Sequence, residues 1–352
     1  MLNNSNILFK EDNEELFWKY WEKLTEKESF RYFYLNIKTN INISKSLSLF
    51  YKDKSFIYLS NKEPIAGVLL PIEKGKEGFF IGIKGSYVAA PIFIGCSSKK
   101  IDEIFSFIDE IAIENDIKKI MFEVDPLLDN PYNYLQKYNY LDTSILTYVI
   151  DLQFKDLFNS CRRNHRRNIK PILEDKNFSV FYIDGNNPSY EIHEEYRKLH
   201  HKCAGRVTRP KIAFDMQFEK LKQGNAVLFG LRYKNKNIAY VYFEFNSDKA
   251  VSFSAADDPD YDKLPLYHVL YYSAMEYLRK RGARYIDTGQ PSCPSSQFDY
   301  YIDKKQANIS LFKRGFGGDF KQYFRGIKYF SEEAFNNDAK KFIDNYSSVF
   351  KI

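Results

Sequence analysis

Two cations lead into a glycine-rich bend near the end of the chain, in the stretch ISLFKRGFGGDF at residues 309–320. Lys313 and Arg314 follow an apolar run, and Phe316 lies among three glycines that permit close backbone approach or unusual φ angles. A lysine beside exposed N–H groups can hold an oxyanion or a phosphate. Arg314 and Phe316 are therefore candidates for binding substrate or phosphate beside Lys313. The alternative is a β-hairpin whose turn needs its glycines.

A dense basic stretch, NSCRRNHRRNIK, occupies residues 159–170. We expect a helix that Asn159 or Ser160 caps and that Pro171 ends or kinks. Closely spaced cations repel one another unless an anion lies against them, and arginine donates bidentately to phosphate. The phosphate-binding candidates are Arg162, Arg163, Arg166 and Arg167, with Lys170 on the same face as Arg162 and Arg166. The alternative is a basic helix face in contact with solvent.

Three residues are candidates for a general base. Asp287 ends the strand in YIDTGQP, and strand ends in α/β sheets are where ligands gather. Glu244 lies among tyrosines on a strand, where burial would raise its pKa, although an edge-strand charge facing water is the alternative. His201, in RKLHHKCAGRVTRPK, precedes a basic loop that carries Arg206 and Arg209. The alternative for His201 is a helix histidine with satisfied hydrogen bonds.

A second anion-binding candidate lies in DDPDYDKLPLYHVL. Aspartates and prolines there predict a turn followed by a helix, which places Tyr267 and His268 in its first turn. Free N–H groups at that position favour anions.

The elements that position these residues occur twice in the sequence, as an internal repeat. NKEPIAGVLLPI at 61–72 and NKNIAYVYFEF at 235–245 each combine a polar turn, an Ile-Ala pair and a β-prone apolar run. A further apolar strand, an amphipathic helix and a short strand follow each run. The helical positions are Ile101, Ile104, Phe105, Ile108, Ile111 and Ala112 in one case and Leu266, Val269, Leu270, Ala274, Tyr277 and Leu278 in the other. We interpret this as a duplicated α/β unit; chance similarity of two common patterns is the alternative.

The order of elements predicts a mixed sheet, because antiparallel hairpins feed a helix that crosses to a further strand. At 352 residues the length indicates two domains, which we place at 1–150 and 151–352. The fold class is therefore α/β, of a mixed α+β kind, with two similar domains in tandem.

Composition excludes several classes. The net charge of +6 is mild and does not require nucleic acid as a partner. The N-terminus is not a signal peptide, and the longest apolar runs are too short to cross a bilayer, so we expect a cytoplasmic protein without a membrane span. The four cysteines lack CxxC spacing and the histidines lack an HExxH pattern, so no metal site is expected.

Taken together, CRRNHRRNIK, GNAVLFGLRYKNKNIAYVYFEF, YIDTGQ and LFKRGFGGDF resemble the tandem-GNAT acyltransferases. These include the Fem-type aminoacyltransferases that build peptidoglycan bridges and their acyl-CoA-dependent relatives in surface-polysaccharide synthesis. The resemblance is strongest from about residue 150 to 325 and reaches the first half through the internal repeat.

The resemblance implies acyl transfer to an amine by two GNAT-like domains, each a mostly antiparallel sheet flanked by helices. In Fem-type enzymes a Phe-Lys pair at a strand end meets the charge that grows on the reacting carbonyl. Phe312 and Lys313 match that pair. The family also grips a nucleotide diphosphate with basic residues, a role that transfers to the Arg162–Arg167 stretch.

Two departures bear on the donor. The Gln/Arg-x-x-Gly-x-Gly/Ala loop that binds CoA pyrophosphate is absent, and DYDKLPLYHV occupies its place. The charged helical hairpin that some Fem-type enzymes use as a tRNA arm is also missing.

The preferred hypothesis is an enzyme that moves an acyl group from acyl-CoA, as co-substrate, to the amine of a dTDP- or UDP-linked amino sugar. Asp287 is the first choice of base, with His201 and Glu244 in reserve, and Lys313 stabilises the oxyanion. No tightly bound cofactor and no nucleic acid are expected, and the protein is a monomer or homodimer. The alternatives are aminoacyl-tRNA-dependent transfer to a peptidoglycan precursor and a non-catalytic protein that binds anionic glycan or nucleic acid.

Overall fold

The computed structural model describes residues 6–26, 30–128, 130–289, 298 and 304–350. The chain forms two compact units. Unit 1 comprises Met1–Leu146, Pro294–Asp303 and Gln322–Ile352, and unit 2 comprises Thr147–Cys293 and Lys304–Lys321.

The boundary after Leu146 lies close to the expected division at 150, but the C-terminal segment differs from the expected domain 151–352. Gln322–Ile352 groups with unit 1 because the strand at Arg325–Tyr329 pairs with the strands Ile117–Glu123 and Leu141–Asp142 of that unit. Hydrogen bonding between strands far apart in sequence decides this membership.

The first elements in chain order are β1 Ile7–Phe9, α1 Glu14–Thr25, α2 Tyr34–Ser46, β2 Phe50–Asp53, β3 Phe56–Ser60, β4 Glu63–Val68, β5 Pro71–Gly75, β6 Gly78–Ile81, β7 Val88–Ala89, β8 Ile92–Phe93, α3 Ser98–Glu114, β9 Ile117–Glu123 and β10 Leu141–Asp142. Short 3-10 turns lie at Phe30–Tyr32 and Tyr134–Tyr138.

The remaining elements are β11 Ile145–Asp151, α4 Leu157–Ser160, α5 Arg163–Glu174, β12 Phe178–Ile183, α6 Tyr190–Ala204, α7 Lys211–Lys222, β13 Ala226–Tyr233, β14 Lys236–Asn246, β15 Lys249–Asp257, α8 Leu266–Lys280, β16 Tyr285–Asp287, α9 Lys304–Lys313, β17 Asp319–Tyr323, β18 Arg325–Tyr329 and α10 Glu332–Phe350. Two further 3-10 turns lie at Pro259–Tyr261 and Arg314–Phe316.

Both units contain a strand–helix–strand crossover within a mixed sheet. In unit 1, one sheet has the order β1-β3-β4-β8 and the other the order β10-β18-β9-β6-β5-β2, with β7 also paired to β9. There β6 and β9 are parallel and α3 lies in the connection between them. In unit 2 the order is β12-β13-β14-β15-β16-β11-β17, and α8 connects the parallel pair β15 and β16. The expected repeat and mixed α/β fold are confirmed.

The amphipathic periodicity is confirmed in both crossover helices. In α3 the predicted positions from Ile104 to Ala112 are buried, and in α8 all predicted positions except Tyr277 are buried. The central strand β14 is buried along most of its length because helices cover both of its faces. Residues of α5 and α8 pack on one face, and residues of α6 and α7 pack on the other.

The basic stretch forms α5, as predicted, but its ends differ from the prediction. A separate short helix, α4, ends at Ser160, and Arg162 occupies the N-cap position of α5 without a side-chain cap bond. Pro171 lies inside α5, which continues to Glu174. The helix tolerates the proline because its buried stripe, His165, Ile169 and Ile172, packs in the core on both sides of that position.

No helix in the described ranges has a stretch of 18 residues apolar enough to span a bilayer.

Candidate active site

Lys313 is a buried cation at the end of α9, only 8% exposed. Its ammonium donates a hydrogen bond to the carbonyl of Thr288, the residue that follows β16. The prediction of a strand end at this position was wrong, because the short apolar run before Lys313 is helical. The amine therefore faces the end of β16, where ligands of α/β proteins collect.

Burial lowers the pKa of Lys313 to about 8, because the ammonium loses hydration there. The negative charge of Asp287 opposes this lowering. An amine that titrates so close to neutrality beside a carboxylate is typical of functional sites.

Asp287 is held in place at the end of β16 with 1% exposure. Its Oδ1 accepts hydrogen bonds from the Thr147 hydroxyl at 2.8 Å and from the Gly289 N–H at 3.0 Å. The hydroxyl of Thr288 is buried and has no hydrogen-bond partner among the described residues. Three polar groups therefore meet at the end of β16. They are the Asp287 carboxylate, the Lys313 ammonium and the Thr288 hydroxyl.

The glycines after Lys313 serve close packing. A Cβ on Gly315 would lie 2.1 Å from Nε2 of His165, and a Cβ on Gly318 would lie 2.0 Å from the carbonyl of Val149. Gly317 and Gly318 have φ angles of +87° and +124°, which other residues rarely adopt. The expected close approach and unusual φ angles are confirmed, with α5 against Gly315, α4 against Gly317 and β11 against Gly318. Anion binding at this backbone stays a prediction.

His165 is a residue of this site that the sequence analysis did not select. It is 1% exposed, and its Nε2 lies 2.8 Å from the carbonyl of Phe312. Its Nδ1 accepts a hydrogen bond of 3.0 Å from Nε of Arg162. The signal was present in the sequence, since His165 shares the helical stripe of Ile169 and Ile172.

An aromatic cluster surrounds this histidine. The ring centroid of His165 lies 4.5 Å from that of His268 and 4.6 Å from that of Phe316. Phe316 is fully buried and stacks on Tyr271, so the expectation that it binds substrate was wrong and it belongs to the core.

The arginines of the basic stretch divide into three groups. Arg166 donates to the carbonyls of Asn159 and Cys161 and so closes the end of α4. Arg163 and Arg167 are exposed. Burial and the charge of Arg314 lower the pKa of Arg162.

Arg314 adds a second cation beside Arg162. Its Nε is buried without a hydrogen-bond partner, and neither arginine has a carboxylate within ion-pair distance among the described residues. Two neighbouring cations without a counter-charge favour an anionic ligand.

The first turn of α8 holds Tyr267 and His268, as predicted. The hydroxyl of Tyr267 donates to Asp257 at 2.6 Å, and burial raises its pKa. Nε2 of His268 lies 3.1 Å from the amide nitrogen of Asn168. Both side chains are therefore engaged within the protein.

The other two candidate bases, Glu244 and His201, lie on the face of the sheet that α6 and α7 cover. The Glu244 carboxylate is buried and accepts from Nζ of Lys220 at 2.9 and 3.0 Å, so of the two hypotheses for Glu244 the edge-strand charge facing water is wrong. The ion pair also removes Glu244 as a free base. His201 packs on Phe214, and Nε2 of the histidine has no partner in the described residues.

The basic loop between α6 and α7 contributes one partly buried cation. Arg206 is exposed, whereas the Arg209 guanidinium lies 5.2 Å from the ring centroid of Phe253. Phe253 is the extra residue at a register shift between β14 and β15. Bulges of this kind often border active sites.

An open pocket of about 600 Å³ lies between the start of α8 and α9. It is lined by Tyr267, Lys304, Lys305, Asn308, Ile309 and Phe312. The pocket thus reaches the residue before Lys313 and carries two lysines at one side.

Comparison with known proteins supports the same fold. Residues 159–300 match the family model described as Acetyltransferase (GNAT) domain. A search of curated proteins by sequence finds no match.

Solved structures resemble most of the chain. FemX has a TM-score of 0.59 at 14% identity, covering 80% of this chain and 89% of its own. The C-terminal domain of a protein named as a lysylphosphatidylglycerol synthetase, from Agrobacterium fabrum, has a TM-score of 0.57 at 11% identity and covers 95% and 97%. A tandem GNAT protein from the clavulanic acid biosynthesis pathway has a TM-score of 0.52 at 13% identity and covers 92% and 98%.

These comparisons confirm the resemblance to tandem-GNAT, Fem-like proteins, and the fold is that of GNAT-type acyltransferases. The preferred hypothesis is transfer of an acyl group other than an aminoacyl group. Excluding aminoacyl transfer is not supported, because FemX and a protein named as a lysylphosphatidylglycerol synthetase are among the similar folds.

Proposed function

We propose that the protein is an N-acyltransferase that moves an acyl group from acyl-CoA to the amino group of a dTDP- or UDP-linked amino sugar, for surface-polysaccharide synthesis. The observation that carries this proposal is the buried Lys313 ammonium beside Asp287 at the end of β16. The reaction needs a base for the amine and a donor for the oxyanion, and these two side chains supply both.

In the proposed reaction the neutral amine attacks the thioester carbonyl, forming the C–N bond and an alkoxide. Asp287 takes the proton from the attacking nitrogen, directly or through water. Lys313 transfers one hydrogen bond from the Thr288 carbonyl to the alkoxide, where a pre-positioned donor stabilises the charge. Collapse of the tetrahedral intermediate breaks the C–S bond and releases the CoA thiolate.

Asp287 is preferred as base because it alone of the three candidates interacts with Lys313 among the described residues. Glu244 is bound to Lys220, and His201 packs against Phe214 on α7. His201 stays a reserve base, and Arg206 and Arg209 stay candidates for binding substrate or phosphate.

The pocket between α8 and α9 suits the acyl donor. Its lysines, Lys304 and Lys305, supply positive charge for phosphates, and its apolar lining ends at Phe312 next to the reacting centre. This arrangement provides for the donor without the CoA-binding loop that is absent from the sequence.

The unpaired arginines suit the diphosphate of the nucleotide sugar. Arg314 lies close enough for its charge to lower the pKa of Arg162, and Arg163 and Arg167 extend the positive surface along α5. Arginine forks bind phosphate oxygens in pairs.

A second candidate is aminoacyl-tRNA-dependent transfer to a peptidoglycan precursor, favoured by the structural similarity to FemX. The same Lys313 and Asp287 chemistry applies, with an ester in place of the thioester. A donor assay separates the two candidates. The purified protein is incubated with dTDP- and UDP-amino sugars or a peptidoglycan precursor, together with acyl-CoAs or aminoacyl-tRNA, and product is detected by mass spectrometry.

We expect product from an acyl-CoA and an amino sugar, unaffected by ribonuclease. Product that requires aminoacyl-tRNA and disappears after ribonuclease treatment supports the second candidate. Saturable binding of anionic glycan or nucleic acid, with steep salt dependence and no product from any donor, contradicts both.

A further inference from the structure

We infer that His165 is a positioning residue for Lys313, because its ring fixes the end of α9 and so orients the ammonium. The inference rests on the proposed function, since it concerns the same reacting group. It assigns a role to the one residue of the basic stretch that faces the core beside α9.

The tautomer of His165 follows from its neighbours. The guanidinium Nε of Arg162 can only donate, so Nδ1 of His165 must accept and carries no proton. The proton of the neutral ring is therefore on Nε2, which donates to the carbonyl of Phe312 at 2.8 Å. A cationic ring would place an N–H against Nε–H of Arg162, so this arrangement requires the neutral form.

The start of α5 holds the chain on both sides of Lys313. His165 binds the carbonyl of Phe312 immediately before it, and the N–H of Arg162 donates to the carbonyl of Gly315 at 2.8 Å, two residues after it. The absence of a Cβ at Gly315 lets the imidazole reach the helix end. These bonds hold the backbone from which the ammonium reaches Thr288.

Positioning differs from simple packing in what it requires of the side chain. Packing needs a buried group of similar volume, whereas positioning needs an N–H at the place of Nε2. Glutamine places an amide N–H near that position, whereas asparagine reaches only the position of Nδ1. His165→Gln therefore keeps the bond to Phe312 and loses the acceptor for Arg162, whereas His165→Asn keeps that acceptor and loses the bond to Phe312.

His193 provides a matched control in the same unit. It is also 1% exposed, lies on α6 and has no hydrogen-bond partner for Nε2 among the described residues. His193→Asn removes a buried ring of equal size without touching α9.

The experiment measures kcat, KM and the accessibility of Lys313 in each variant. Accessibility is read by competitive labelling with limiting acetic anhydride, followed by peptide mass spectrometry of the Lys313 peptide. We expect His165→Asn to lower kcat about 10- to 100-fold, since small misplacement of a catalytic group costs this much. KM values should stay within about threefold, and Lys313 labelling should rise. His165→Gln should keep kcat within about threefold of the wild type.

Gly315→Ala provides a second way to displace the ring, because its methyl group occupies the place of Nε2. We expect the same rise in Lys313 labelling. This variant keeps the question open to test if His165→Asn does not fold.

The inference is overturned if Lys313 labelling in the displaced variants equals that in the wild type. It is also overturned if labelling rises without a loss of kcat, or if His193→Asn lowers kcat as much as His165→Asn. Failure of the proposed function shows itself separately. In that case no combination of donor and acceptor gives product, or Lys313→Ala leaves turnover unchanged, whatever the labelling of the His165 variants.

Discussion

The two units share a strand–helix–strand crossover, but they carry different charged side chains at the end of its second strand. In unit 1 the end of β9 carries Glu123 and Asp125, and the guanidinium of Arg31 lies 3.5 Å and 3.7 Å from their oxygens. In unit 2 the end of β16 carries Asp287, and the cation beside it is Lys313. Arginine remains charged at any accessible pH, whereas a buried lysine can titrate near neutrality.

Unit 2 also holds more of the titratable side chains that could take part in catalysis. All five histidines of the chain lie between residues 165 and 268, in unit 2. The buried Lys220–Glu244 pair is in unit 2 as well. Under the proposed function, duplication supplies the scaffold and unit 2 carries the reactive groups. The strand end of unit 1 instead holds ion pairs of Arg31 with Glu123 and Asp125.

The largest expected effect is the loss of turnover in Lys313→Ala. Removing one donor to a developing oxyanion typically costs about 10²- to 10³-fold in kcat. The matched change in unit 1, Arg31→Met, should leave kcat within about threefold. Steady-state kinetics on both variants makes the test. Equal losses in the two variants would break the comparison, because unit 1 would then take part in the reaction.

The next largest effect is on turnover when the carboxylates at the two strand ends, Asp287 and Glu123, are replaced. Asp287→Asn should lower kcat by about 10²-fold, because proton removal from the amine loses its base. Glu123→Gln, at the end of β9, is the control and should have little effect on turnover. A normal rate with Asp287→Asn would exclude that residue as the base.

Acid should destabilise unit 2 more than unit 1. Burial lowers the pKa of His165 and of His193 to about 4 from 6.5. The unfolded chain therefore binds protons that the folded unit does not, and stability falls as pH drops from 6.5 to 4. Across that range each buried ring lowers the free energy of unfolding by up to about 3 kcal/mol. Hydrogen exchange at several pH values should show earlier opening of unit 2, and simultaneous opening of both units would contradict it.

The smallest effects are on stability and have opposite signs in the two units. Burying the Lys313 ammonium costs free energy, so Lys313→Met should raise the free energy of unfolding of unit 2 by about 1–2 kcal/mol. Arg31→Met leaves Glu123 and Asp125 without their cation and should lower that of unit 1 by about 1–3 kcal/mol. Denaturant unfolding followed by hydrogen exchange resolves the two units. A loss of stability in Lys313→Met would show that burial of the Lys313 ammonium does not destabilise unit 2.

The repeat was predictable because it depends on local patterns. The apolar positions of α3 and α8 follow helical periodicity, and Asp287 follows from its place at the end of a short strand. The buried face of each helix can be predicted from hydropathy, because the apolar residues recur at the helical period within the segment itself.

Contacts distant in sequence were not predictable in this way. The short run before Lys313 suits a strand as well as a helix, and the need for Gly315 arises from His165, which is far away in the chain. Glu244 is buried because α7 supplies Lys220, so its alternation on β14 did not reveal its partner. For His165 the burial was visible in the helical stripe it shares with Ile169 and Ile172, but its contact with Phe312 was not.

The central claim is that the Lys313 ammonium meets the charge that develops as the amide forms. A crystal structure with a phosphonamidate bisubstrate analogue, whose tetrahedral centre mimics the intermediate, tests it most directly. We predict that Nζ of Lys313 leaves the carbonyl of Thr288 and lies about 2.7–3.1 Å from an oxygen of the tetrahedral centre. An analogue bound elsewhere, with Nζ still on Thr288, would contradict the claim.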